Sequence, residues 1–227
     1  MPQKELVPAD THLAICYCVC DIGTQEITYP GKPMKHVRQI RVIWELPNCR
    51  MDVGDNRTAP RVIGNDYTFS TYEGAALAQL ITPWVGSCPD NFDFESLIGK
   101  ACYLAIVHKE SASSGNSYAK IASAMKVPDG VSIPQQENDT IFYDMEAMGK
   151  DYPLSLMTDS YKWLREKIQE SQEFVNPHQD EAQTTAGITP EQKQRYDEAI
   201  GGREVAKAEA EAQDSGAAGD IDPNIPF

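Results

Sequence analysis

The chain has 227 residues, with 20 Lys+Arg against 34 Asp+Glu, a formal net charge of −14 and 41% apolar residues. It shows no N-terminal apolar leader and no run of about 18 apolar residues, so neither secretion nor a membrane-spanning helix is expected, and a cytoplasmic protein of one or two domains is. The charge is uneven: residues 1–150 carry 13 basic and 18 acidic groups, whereas 151–227 carry 7 and 16.

Residues 13–20, Leu-Ala-Ile-Cys-Tyr-Cys-Val-Cys, form a continuous apolar strand candidate. A polar stretch over 21–36 leads to a second, rich in β-branched residues, at Val37–Leu46, which Pro47 ends. The loop around Gly54-Asp55-Asn56 precedes a third strand at Arg61–Phe69. Ser70, Thr71 and Glu73 supply helix-start chemistry for a helix carrying Ala75, Ala76, Leu77, Ala78, Leu80 and Ile81 and stopped at Pro83. A fourth strand at Ala101–His108 and a fifth at Tyr118–Lys126 flank the Ser/Gly-rich turn Ser111–Ser117, and Pro128-Asp129-Gly130 closes the unit.

Three strands, a helix and a two-strand hairpin are the order of a five-stranded OB-fold barrel with its helix between the third and fourth strands; other small barrels with the same strand count stay open. The expected fold class is therefore mainly β, and residues 1–150 form the barrel domain with an extension over 131–157. Asp159–Phe174 reads as a helix with Tyr161, Trp163, Leu164 and Ile168 on its apolar side. It makes 151–175 a segment that packs on the barrel or forms a dimer contact.

From Asn176 onward the only aromatics are Tyr196 and Phe227, and such a segment cannot bury enough apolar surface to offset the entropy of ordering it. Residues 176–227 read as a mostly disordered acidic tail. Thr189-Pro190-Glu191-Gln192 has the signature of a short solvated helix within it.

Cys16, Cys18 and Cys20 alternate in an apolar strand, where they share one face as small buried hydrophobes. With Cys49, Cys88 and Cys102 they form no C-x₂-C pair and match no histidine at finger spacing, so neither a metal site nor a cofactor is expected. The chain lacks a G-x-S-x-G elbow, a Walker glycine loop, a dinucleotide fingerprint and an H-E-x-x-H, and no enzyme is expected.

Binding leaves a clearer trace. Residues 31–64 hold seven basic groups against three acidic ones, a local +4 centred on the second strand and its flanking loops, where oligonucleotides lie on an OB fold. Lys32, Lys35, Arg38, Arg41 and Arg61 are the candidate phosphate contacts. Aromatics in the right segments are Tyr29, Trp44, Tyr67, Phe69, Tyr72, Tyr103 and Tyr118, on which unpaired bases would stack. Strand alternation sets Tyr67 with Phe69 on one face and Trp44 with Ile40 and Val42 on another, so part of this set belongs to the core. Because a phenol tolerates half-exposure, Tyr29, Tyr67, Tyr72 and Tyr118 lead among the contacts. Lys109 and Lys120, flanking the hairpin tip, are further phosphate candidates.

The run Val37-Arg-Gln-Ile-Arg-Val-Ile-Trp-Glu-Leu46, then Tyr67-Thr-Phe-Ser70, Trp84-Val-Gly86, Leu97-Ile-Gly-Lys100, Val107-His108 and Tyr118-Ala-Lys-Ile121, is similar to phage-encoded OB-fold single-stranded DNA-binding proteins over about residues 10–130. The last eight residues, Asp220-Ile-Asp-Pro-Asn-Ile-Pro-Phe227, resemble the acidic tip of bacterial and phage single-stranded DNA-binding proteins. The resemblance implies a DNA replication or recombination protein that coats single strands in the host cytoplasm. It also implies that Asp220, Asp222, Ile225, Pro226 and Phe227 dock on replication and repair enzymes. Here Pro223-Asn224 interrupts the acidic run before Ile225, a departure that bears on partner affinity.

Overall fold

The computed structural model describes residues 5–28, 33–111, 115–148 and 159–175. Within them the chain is mainly β: β1 (Thr11–Ile27), β2 (Lys35–Gly54), β3 (Arg57–Thr68), α1 (Ala76–Val85), β4 (Ala101–Glu110), β5 (Ser117–Lys126), β6 (Ile141–Tyr143), α2 (Met145–Met148), α3 (Lys162–Gln169) and α4 (Gln172–Val175). The sheet order is β3-β2-β1-β4-β5, antiparallel throughout, and short β6 pairs parallel with the middle of β1. The helix expected between the third and fourth strands is α1.

One core gathers Trp44, Leu46, Ile63, Tyr67, Leu104, Ile121 and Ala124 with Leu77, Ile81 and Trp84 of α1. β3 and β5, the two ends of the sheet path, thus feed the same core, so the sheet curls round it. The indoles of Trp44 and Trp84 pack at 5.9 Å between ring centroids. Helix α1 lies against both β5 and β3. Arg61 of β3 donates to the Glu5 carbonyl at 2.7 Å, and His108 of β4 lies 2.8 Å from the Val7 carbonyl. The segment before β1 therefore ties β3 to β4.

A second core lies on the outer face of β1 and β2: Tyr17, Cys18, Cys20, Ile22 and Ile43 meet Ile141, Tyr143, Met145, Leu164 and Ile168. Residues 137–148 and 159–175 thus form a layer over the sheet. Tyr161 donates to the Tyr17 hydroxyl at 3.1 Å, and the Glu173 carboxylate accepts from the Thr24 amide and hydroxyl at 2.8 and 2.7 Å. Gly23, at φ +70°, makes room for this layer, because a Cβ there would meet Ser171 Cβ at 2.6 Å.

Several local expectations are corrected. Register breaks between Cys16 and Cys18 leave Tyr17 as an extra residue opposite β2, a β-bulge that reverses the pleat. Cys16 therefore enters the first core while Cys18 and Cys20 enter the second, and the three do not share a face. Pro47 does not end β2; it sits in the register break between Leu46 and Arg50, where no ladder hydrogen bond is required of it. The β2–β3 turn places Asp55 and Asn56 at φ 53° and 57°, the left-handed pair of a tight hairpin. α1 runs through Pro83 to Val85 and stops at Gly86, φ 99°, whose amide bonds the Thr82 carbonyl. Its N-cap is Ala75 without a side-chain bond; Ser70 Oγ instead accepts from the Tyr72 amide in the preceding turn. The single helix expected over 159–174 is broken at Glu170-Ser171 into α3 and α4, and β6 was not expected.

Among the described residues no helix is long and apolar enough to cross a membrane. All six cysteines are free thiols.

Candidate nucleic-acid interface

Strand β2 carries its residues to two different surroundings. Trp44, with Ile40 and Val42, points into the first core and is wholly buried. Tyr67 is 4% exposed in the same core. Neither ring can lie under a base while the core is intact, so both leave the set of stacking candidates. Alternation turns Arg41, Ile43 and Glu45 to the outer face, where the C-terminal layer covers them.

The arginines of the basic segment are committed to carboxylates. Arg41 lies 2.9 Å from Asp66, with side-chain exposures of 3% and 4%, and its guanidinium stacks 4.9 Å from the Trp163 ring centroid. Lys167 of α3 reaches the other Asp66 oxygen at 2.5 Å. Burial by itself would raise the Asp66 carboxyl, but Arg41 and Lys167 hold it below the ordinary carboxylate range. Arg38 bonds Asp21 and Glu146, each at 2.5 Å, and lies 4.8 Å over the Phe69 ring. Phe69 also packs edge-to-face on Phe94 at 5.0 Å, so its ring is largely enclosed. Arg61 pairs with Glu5, Arg50 with Glu137, and Arg57 with Asp55.

The local +4 of the sequence is therefore neutralised in space by acids from outside 31–64, among them Glu5, Asp21, Asp66, Glu137 and Glu146. Arg41, buried in its pair with Asp66, does not face a phosphate track on β2 as expected, while Arg38 and Arg61 are part-exposed and each held to a carboxylate. Glu45, fully buried, accepts from the Glu137 and Asn138 amides and from Asn138 Nδ2 at 2.7–2.9 Å, which pins the crossing segment onto the same face.

Lys35 is exposed at the start of β2, and Tyr72, 51% exposed, follows β3. Tyr29, Lys32 and the tip residues Asp220, Asp222, Ile225, Pro226 and Phe227 lie outside the described residues, as does the whole tail over 176–227.

The remaining candidates come together on the β4–β5 hairpin. Lys109 stands opposite Tyr118 and Val107 opposite Lys120, with Tyr103 opposite Met125 farther along. Cys102, Leu104, Ile106, Ile121 and Ala124 fill the inner face, so alternation turns Tyr103, Val107, Lys109, Tyr118, Lys120 and Met125 outward. No residue of β4 or β5 belongs to the second core, and Val107 and Met125 are 38% and 46% exposed. This hairpin and the Lys35–Arg38 end of β2 do not meet: Thr11 at the start of β1 pairs with Ala105, while Ile27 at its end pairs with Lys35.

The sequence reading named Tyr103 but missed Val107 and Met125 beside it. The signal was present as a gap in acidity, since neither Ala101–Lys109 nor Ser117–Lys126 contains an Asp or Glu. It also missed Asp21, Asp66 and Glu146 as partners of β2 arginines, for which no local pattern exists.

No protein-family model and no curated protein matches this chain.

Proposed function

We propose that this chain is an OB-fold protein that binds single-stranded DNA without sequence preference in phage replication or recombination, and recruits partner enzymes through its C-terminal tip. The observation that supports the reading most is the strand order β3-β2-β1-β4-β5 wrapped round one core, with α1 between the third and fourth strands. An OB barrel cut along its β3–β5 seam has that order, and here α1 packs on both β3 and β5 while Glu5 and Val7 tie β3 to β4. In this reading no catalytic step is involved, and the protein works in the cytoplasm of the host. The tail tethers Phe227 and its carboxylate for an apolar pocket edged by cations on the partner. Its acidic residues also compete with phosphate at high effective concentration.

The test is a titration of fluorescent oligo-dT with the full chain, read by anisotropy at two salt concentrations. Binding that weakens as salt rises supports the reading, because displaced counterions lose their entropic advantage.

A second reading, an acidic OB-fold module that binds protein, is favoured by one observation: each arginine within 31–64 is paired with a carboxylate. A flat titration at low salt would select it.

A further inference from the structure

We infer that the single strand runs along the outer face of β4 and β5, not across β2 and β3. The inference rests on the single-strand reading above and gives that activity a surface.

Three observations carry it. First, the β2–β3 face is closed: Arg41, Ile43 and Glu45 are all under 5% exposed beneath β6, α3 and the segment at Glu137-Asn138. A strand of DNA could reach them only by displacing Leu164 and Ile168, both fully buried. Second, β4 and β5 together carry three lysines, Lys109, Lys120 and Lys126, against one carboxylate, Glu110 at the hairpin end of β4, in a chain of net −14. A polyanion meets least repulsion there, and two of these lysines alternate with tyrosine and valine on one face.

Third, the face exposes rings and apolar atoms where bases would lie. Tyr118 is half-buried, yet its hydroxyl oxygen is inaccessible and has no hydrogen-bond partner. What Tyr118 shows to solvent is therefore its ring. Tyr103, half-buried, stands six residues back along β4 from the Lys109–Tyr118 pair, about 20 Å at strand spacing. Val107 lies between them and Met125 opposite Tyr103, both as exposed apolar surface. A run of that length suits the short end of the roughly 4–16 nucleotides that one OB domain holds. Duplex DNA, with its bases stacked internally, offers the rings nothing to pair with, so the ligand class is an unpaired strand.

The test uses the full chain and a fluorescent dT oligonucleotide, with a blunt duplex as comparison. Tyr103→Ala and Tyr118→Ala are each expected to weaken binding about 5- to 100-fold, as loss of one base stack does. Tyr118→Phe, which keeps the ring and removes only an unpartnered hydroxyl, is expected to bind as the wild type does. Lys109→Ala with Lys120→Ala is expected to lower the slope of log affinity against log salt by about 1.4, roughly 0.7 for each cation on a single strand. Photocrosslinking of a bromodeoxyuridine oligonucleotide to the wild-type protein, mapped by mass spectrometry, needs no variant to fold. Adducts within 101–126 support the path. Wild-type binding with adducts confined to 35–68 and undiminished affinity in the tyrosine variants would overturn it, leaving single-strand binding intact. Absence of binding by the wild type would overturn both.

Discussion

The Arg41 guanidinium and the Asp66 carboxylate face each other across β2 and β3 at 2.9 Å, under α3, with Lys167 closing on the second carboxylate oxygen. This buried triad joins the sheet to the C-terminal layer. Arg41→Ala leaves a buried carboxylate with only Lys167, a loss expected to cost about 3–5 kcal/mol. Urea unfolding should show it as a lower midpoint, with oligonucleotide affinity of the folded fraction unchanged.

The same carboxylate makes stability depend on acid. Because its partners hold Asp66 below the ordinary 3.8, the unfolded chain takes up the proton first as pH falls. Its contribution is thus present in full above about pH 4 and is lost as pH drops through the lower folded value. Thermal melts between pH 7 and pH 2 should fall more steeply for the wild type than for Asp66→Asn over that acid range. Parallel curves would remove Asp66 from the account.

Gly23 is where the layer touches β1 most closely. Gly23→Ala would place a Cβ against Ser171 Cβ in a left-handed backbone, and should destabilise the protein by about 1–3 kcal/mol. Limited proteolysis should then cut within 159–175 at a protease concentration that spares the wild type.

Arg38 is balanced by Asp21 and Glu146. Arg38→Ala is therefore expected to leave the salt dependence of DNA binding unchanged, while lowering stability by about 1–3 kcal/mol through loss of bonds to the buried Asp21 carboxylate. A salt slope reduced by this substitution would put the DNA at the Arg38 end of β2.

Removal of residues 220–227 separates the two proposed activities. The truncated chain should hold oligo-dT as well as or better than the full one and should fail to retain replication enzymes in a pull-down. Loss of DNA binding on truncation would contradict that division.

Much of the fold could be read from the chain itself. Hydrophobic runs bounded by Gly and Pro mark five strands and the helix after β3, because burial periodicity and turn chemistry are local properties. The three-residue β6 escaped, being too short to show a period. Of the candidate interface, Lys109, Tyr118 and Lys120 stand together, half-buried, on the outer face of the β4–β5 hairpin; Trp44, Tyr67 and Arg41 are buried.

The order of elements and the composition of each strand belong to the chain itself. Only in three dimensions is it settled which way side chains face and which of these charges meet a partner. A single extra residue at Tyr17 reverses the pleat, and so divides three evenly spaced cysteines between two cores. The acids that neutralise Arg38, Arg41, Arg50 and Arg61 come from as far away as Glu146, 108 residues beyond Arg38. Charge acts through distance in space, and no window along the chain can sum over partners that only folding brings within 3 Å.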